Sequence, residues 1–180
     1  MEKTLVQYNQ IVTHCRELFE KKMKDYGTSW RILRPESVTD EIYMKAQRIQ
    51  SIEQKKTQKI SDDIRSEFIG IINYSLIGLI QLDLTDADSV ELEPSVALSY
   101  YDQQIRRARE LMMAKNHDYG EAWRSMRLTS YTDLILQKIY RTKQIEDHKG
   151  LTMVSEGVEA NYMDMINYAI FAMIKIDFKE

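Results

Sequence analysis

The sequence predicts an all-α fold: a six-helix bundle built from two tandem three-helix repeats related by a pseudo-twofold axis. Three observations lead there. Residues 17–53 and 110–146 align without a gap at a constant offset of 93, with seventeen identities, and such self-similarity takes precedence over any local reading. Apolar residues recur at helical spacing in matching places of both copies. Only 2 prolines and 6 glycines occur in 180 residues, so helix breakers are few. One repeat of about 90 residues would bury little surface alone. The two repeats, residues 1–92 and 93–180, are therefore expected to share one core.

In the first helix Leu5, Tyr8, Val12, Cys15 and Phe19 form an apolar stripe, which returns as Leu98, Tyr101, Ile105, Ala108 and Met112. Cys15 aligns with Ala108, so a small buried residue is its expected role. Asp25-Tyr26-Gly27 and Asp118-Tyr119-Gly120 end these helices, with glycine suited to the left-handed position after the last turn. A loop carrying Trp30-Arg31 or Trp123-Arg124 follows. Ser37-x-x-Asp40 and Ser130-x-x-Asp133 read as N-terminal caps of the second helices, which run to about Gln54 and Asp147. Lys149-Gly150 is then a stop, and Thr152 a cap for the next helix.

The third helices, about 60–82 and 153–177, are the most apolar parts of the chain. Phe68 to Leu82 is hydrophobic nearly all round, the mark of a buried helix. Here the offset becomes 94, and Ser75 and Gly78 align with Ala169 and Ala172. Small residues three apart in both copies predict that the two third helices cross closely at the centre. The acidic stretch Asp83 to Glu93 reads as the connector.

Composition narrows the function. A net charge of −3 lacks the basic footprint of a duplex nucleic-acid binder. One cysteine excludes an intrachain disulfide and fits a reducing compartment. No signal-peptide core and no uncharged run of spanning length is present, so a soluble cytoplasmic protein without a membrane partner is expected. A homo-oligomer is left open.

Two constellations could carry chemistry. Glu156, Glu159, Asp164 and Asn167 fall within an arc of about 140° on a helix of 3.6 residues per turn, with Val158, Tyr162, Met165, Ala169 and Met173 opposite. Clustered carboxylates suit a hard cation such as Mg²⁺; a solvated acidic face is the alternative. In the first repeat Glu159 aligns with Arg65 and Asp164 with Gly70, so any metal site would be single and in the second repeat. The second constellation is basic. Arg31, Arg34, Lys45 and Arg48 match Arg124, Arg127, Lys138 and Arg141, residues that could bind phosphate or form salt bridges. Trp30 and Trp123 could stack on a base or anchor their loop. His117 aligns with Lys24, and no Gly-rich phosphate loop, His/Cys metal spacing or nucleophile elbow is present.

Asp118-Tyr119-Gly120, Trp123, Asp133, Lys138, Arg141, Glu156, Glu159, Asp164 and Asn167-Tyr168-Ala169 together resemble the pattern of the nucleotide modification associated domain 1 family, first catalogued as a domain of unknown function. The resemblance covers the second half, with a degenerate version over the first, like the duplicated Bacteroidetes-type members. It implies a role tied to nucleotide modification. A more distant similarity is to MazG-like all-α nucleoside triphosphate pyrophosphohydrolases, in which helix-borne acids hold Mg²⁺. Their Glu-x-x-Glu motif on the preceding helix is replaced here by Asp133-x-x-x-x-Lys138-x-x-Arg141.

The resulting expectation is a Mg²⁺-dependent nucleotide-binding protein, with pyrophosphohydrolase-like hydrolysis as its enzymatic form. Glu156, Glu159 and Asp164 would hold metal and Lys138, Arg141, Arg124 and Arg127 phosphate, supported by Asp133, Asn167, Asp118 and Trp123. The alternative is a non-catalytic interaction or nucleotide-sensing module whose charged residues are structural.

Overall fold

All the expected helices are present in the computed structural model, which describes residues 1–84 and 91–179. They are α1 (Glu2–Tyr26), α2 (Pro35–Lys55), α3 (Ile64–Asp83), α4 (Pro94–Tyr119), α5 (Leu128–Asp147) and α6 (Val158–Phe178). Single 3₁₀ turns at Ser29–Ile32 and Ala122–Ser125 carry the two tryptophans, and no strand occurs among the described residues. Part of the connector expected at Asp83 to Glu93 lies outside the described residues.

Helix ends follow the glycines but not the expected serine caps. Gly27 and Gly120 have φ of +63° and +57°, and their N–H groups close on Met23 and Asn116 carbonyls. Helix α2, however, starts at Pro35, and α5 starts at the equivalent Leu128, with Arg34 and Arg127 as N-caps. Ser37 and Ser130 are therefore already inside the first turn, donating their N–H groups to the Arg34 and Arg127 carbonyls. Proline at the first helical position favours the earlier start of α2, since its fixed φ fits a helix and its missing N–H costs nothing there; α5 starts at the same place with leucine. Thr152 does not cap α6 either. It bonds the Ser155 carbonyl within the loop, and Gly157 is the N-cap.

Helices α3 and α6 lie at the centre against each other; α1 packs on α6 as α4 packs on α3. Gly78 permits the close crossing, because a Cβ there would stand 2.8 Å from the Tyr162 ring. Tyr8, Cys15, Tyr101 and Ala108 are fully buried, as the stripes predict. Burial pushes the Cys15 thiol up to about 12, consistent with an inert core residue.

The pseudo-twofold is visible in polar contacts that cross between repeats. The Tyr8 hydroxyl donates to Asn167 Oδ1 and the Tyr101 hydroxyl to Asn73 Oδ1, both at 2.9 Å. The two amide groups donate onward to the carbonyls of Ala108 and Cys15. Thr39 likewise donates to Glu146 and Thr132 to Glu53, at 2.7 and 2.9 Å. Residues kept in both copies thus seal one shared core.

These glutamates make stability pH-dependent. Burial raises both carboxyl pKa values, and the threonine hydrogen bonds offset this only in part. The folded state therefore holds those protons more tightly than the unfolded one. Their contribution is full below the unfolded pKa of about 4.3 and is lost as pH rises through the raised folded value. E53Q/E146Q, which keeps an acceptor for each threonine, is expected to melt above the wild type at neutral pH and to lose that advantage in mild acid. A melting difference that does not change with pH would contradict this assignment.

Candidate functional site

The acidic strip expected on α6 divides into three separate environments. Glu156 precedes the helix and is exposed. Glu159 is exposed on the first turn, where Arg107 of α4 reaches it at 2.5 Å. Asp164 is buried, with one oxygen 2.6 Å from Lys115 Nζ of α4 and the other 2.7 Å from Lys138 Nζ of α5. Burial alone would raise its pKa, but hydrogen bonds from the two lysines hold the carboxyl below its ordinary value. Among the described residues no three acidic, histidine or cysteine side chains come together as a metal-ion donor set. A cation at Asp164 would have to displace two ammonium groups, so these three carboxylates do not fit Mg²⁺ in this arrangement.

The expected phosphate ligands also separate. Arg124 lies over Trp123, 4.4 Å from the ring centroid, and bonds Thr4, Gln7 and Glu121. Lys138 is committed to Asp164, while Arg127 and Arg141 are exposed and lie about four turns apart along α5. Of the supporting residues, Asn167 belongs to the core network, Asp133 is exposed, and Asp118 faces its neighbour His117. Trp123 is buried and stacked on Phe171 at 4.3 Å with the rings 5° apart.

The corresponding region of the first repeat is open. A cleft of about 360 Å³ lies between α1, the Trp30 turn, α2 and α3. Its aromatic walls include Tyr26, Trp30 and Tyr74, and Lys22 and Lys45 bring positive charge. The repeat offsets equate Lys22 and Lys45 with Lys115 and Lys138, Gly70 with Asp164, and Ile77 with Phe171. Both larger residues of the second copy are thus smaller in the first. Lys45 lays its stem across Gly70, where a Cβ would meet Lys45 Cδ at 2.5 Å. Its ammonium lies 5.4 Å from the Tyr74 ring centroid and 3.8 Å from Glu67, which also pairs with Arg48. Lys22 is exposed and makes no ion pair among the described residues. Glu41, aligned with Leu134, adds one carboxylate to the lining.

A family model described as nucleotide modification associated domain 1 matches the chain twice, over residues 22–82 and 115–176. The chain belongs to this family. The two matched segments begin at Lys22 and Lys115 and take in Lys45, Gly70 and Tyr74 on one side and Lys138, Asp164 and Tyr168 on the other. Family membership and the internal repeat therefore divide the chain in the same two places. No curated protein and no solved structure matches the chain. Among the described residues no helix is long and apolar enough to cross a membrane.

The first-repeat cleft carries no added functional group that would announce it in the sequence. The available signal was a loss: glycine at 70 and isoleucine at 77 where the other copy has aspartate and phenylalanine.

Proposed function

We propose that this chain is a nucleotide-binding module, of the non-catalytic sensing kind, whose ligand occupies the first-repeat cleft. The observation that carries the reading is one cleft combining aromatic walls with two lysines. A volume of about 360 Å³ falls in the range of small-molecule pockets, roughly 300–1,000 Å³, and suits a mononucleotide rather than a polymer. Tyr26 and Tyr74 offer apolar ring surface to a base, lysine ammonium groups attract phosphate, and Glu41 can accept from a base amino group or sugar hydroxyl. The family's association with nucleotide modification points to the same ligand class.

This reading needs no resident metal. In the second repeat the charged residues form internal pairs, so no hydrolytic step is assigned to them. The test is a thermal-shift and calorimetric titration with a panel of nucleoside mono- and triphosphates, with and without Mg²⁺ or chelator. Selective ligands raise apparent stability by mass action. Binding is expected to survive chelator and to weaken by about tenfold, roughly 1.4 kcal/mol, in Lys45→Ala. Millimolar nucleotide that leaves melting unmoved would overturn the reading, as would binding unchanged by both Lys45→Ala and Tyr74→Ala.

A further inference from the structure

We infer that Lys22 and Lys45 form a phosphate clamp selecting a phosphorylated ligand over its nucleoside, and that Asp164 is a built-in anion filling the equivalent clamp of the second repeat. The inference rests on the nucleotide-binding reading and specifies which part of the ligand the site recognises.

The closed copy shows what the two lysines require. There, one lysine from the C-terminal turns of α4 and one from the middle of α5 converge on a single carboxylate, at 2.6 and 2.7 Å. Two ammonium groups facing one small volume repel each other unless an anion lies between them, and in this copy α6 supplies it. The first repeat keeps both lysines on the same backbone positions but has Gly70 where the aspartate stands. The nearest acid to Lys45, Glu67, is 3.8 Å away and shared with Arg48, and Lys22 has no ion pair among the described residues. The open clamp therefore lacks the internal anion that the closed clamp has.

The surroundings suit an external one. Tyr26 and Tyr74 both line the cleft. Burial raises both phenol pKa values, with nearby Glu41 and Tyr26 adding to the effect at Tyr74. Both hydroxyls therefore stay protonated at neutral pH and can donate to phosphate oxygens. Hydrogen bonds from charged donors to an anion are about twice as strong as neutral ones, which favours a phosphate over an uncharged sugar at this end. Glu41 repels an anion placed near it and so directs the phosphate toward the lysines and the uncharged part toward itself. Trp30 is buried at the cleft wall, with the smaller Ile77 where Phe171 stacks on Trp123; its ring contact among the described residues is Phe19, tilted by 43° at 6.3 Å.

The experiment restores the closed copy's residues one at a time in the full chain. Calorimetry would compare deoxynucleoside 5′-monophosphates, the matching nucleosides and inorganic phosphate on wild type, Gly70→Asp, Gly70→Asn, Ile77→Phe and Lys22→Gln. Wild type is expected to prefer the monophosphate over its nucleoside by at least about tenfold. Gly70→Asp and Gly70→Asn both displace the Lys45 stem, which a Cβ at 70 would meet at 2.5 Å. Only the aspartate adds an anion, so it should remove the preference while the asparagine retains part of it. Lys22→Gln, on an exposed position, should reduce the preference several-fold. Ile77→Phe should weaken every cleft ligand alike. Equal affinity for monophosphate and nucleoside in wild type would overturn the inference while leaving the nucleotide reading intact. So would equal losses in the Asp and Asn variants, or no change in Lys22→Gln. If no nucleotide or nucleoside binds but inorganic phosphate does, and Lys22→Gln weakens it, the clamp stands and the nucleotide reading falls. Absence of all binding overturns both.

Discussion

Replacing Asp164 with alanine is expected to cost about 3 kcal/mol of folding stability, the lower end of the range for removing one partner of a buried ion pair. The lower end applies because the two lysines differ. Lys138 is 11% exposed and would be left as a nearly buried, unpaired charge, whereas Lys115 is 46% exposed and can turn to water. At roughly 2–4 °C per kcal/mol for a chain of this size, the drop in melting temperature is about 6–12 °C. The pH dependence has a definite sign. Burial raises the Asp164 pKa, but the hydrogen bonds from Lys115 and Lys138 outweigh it and leave the folded value lowered. Its stabilisation is thus complete above the unfolded pKa of about 3.9 and is lost as pH falls through the folded value. Wild type and Asp164→Ala should therefore converge in strong acid. Replacing both buried charges together, as Lys138→Met with Asp164→Leu, should recover most of the loss, since well-packed apolar pairs often match buried ion pairs in stability. A metal-binding role predicts otherwise: little loss in the single variant without Mg²⁺, and no rescue by the apolar pair.

The same aspartate shows how far the sequence could be read. The repeat made the architecture legible because each copy reported the other's core. Tyr8 with Tyr101 and Asn73 with Asn167 are equivalent positions and make equivalent hydrogen bonds across the axis. Helix phase was legible for the same reason, and Tyr162, Met165, Ala169 and Met173 are all fully buried. What the phase of one helix cannot contain is the charge delivered by its neighbours. Asp164 shares an arc with Glu159 on α6, but Lys115, Lys138 and Arg107 come from α4 and α5, and their arrival turns an apparent cation site into separate ion pairs. Glu156 left the arc because α6 begins two residues later, at Val158. The cleft was harder still to foresee. It lies where Ile77 stands in place of a phenylalanine, while the room left by Gly70 is taken by the Lys45 stem, and a space defined by missing atoms has no motif of its own. The duplication points to the half richer in acids; in the structure Glu159 and Asp164 of that half are paired with arginine and lysine.

Phe171→Ala carries the second large effect, an expected loss of about 3–4 kcal/mol for truncating a buried phenylalanine. The ring is 7% exposed, stacks on Trp123 at 4.3 Å and lies 6.5 Å from Tyr131. Aromatic stacking adds about 0.5–1.5 kcal/mol beyond the area buried, which places the estimate above that for an aliphatic residue of similar burial. The substitution should also expose one face of Trp123 and shift its emission to longer wavelength, read in a Trp30→Phe background so that only one indole reports. Phe171→Ile is the more informative partner, because isoleucine is what the first repeat carries at the equivalent position, Ile77. It should lose less than the alanine variant while still moving the Trp123 emission. A loss below about 1 kcal/mol with no spectral change would mean that the surrounding helices collapse onto the vacancy, since the cost of a truncation depends on how far its cavity closes. The first repeat would then stay open for a reason other than the size of residue 77, leaving Gly70, with the Lys45 stem lying across it, as the feature that holds the helices apart.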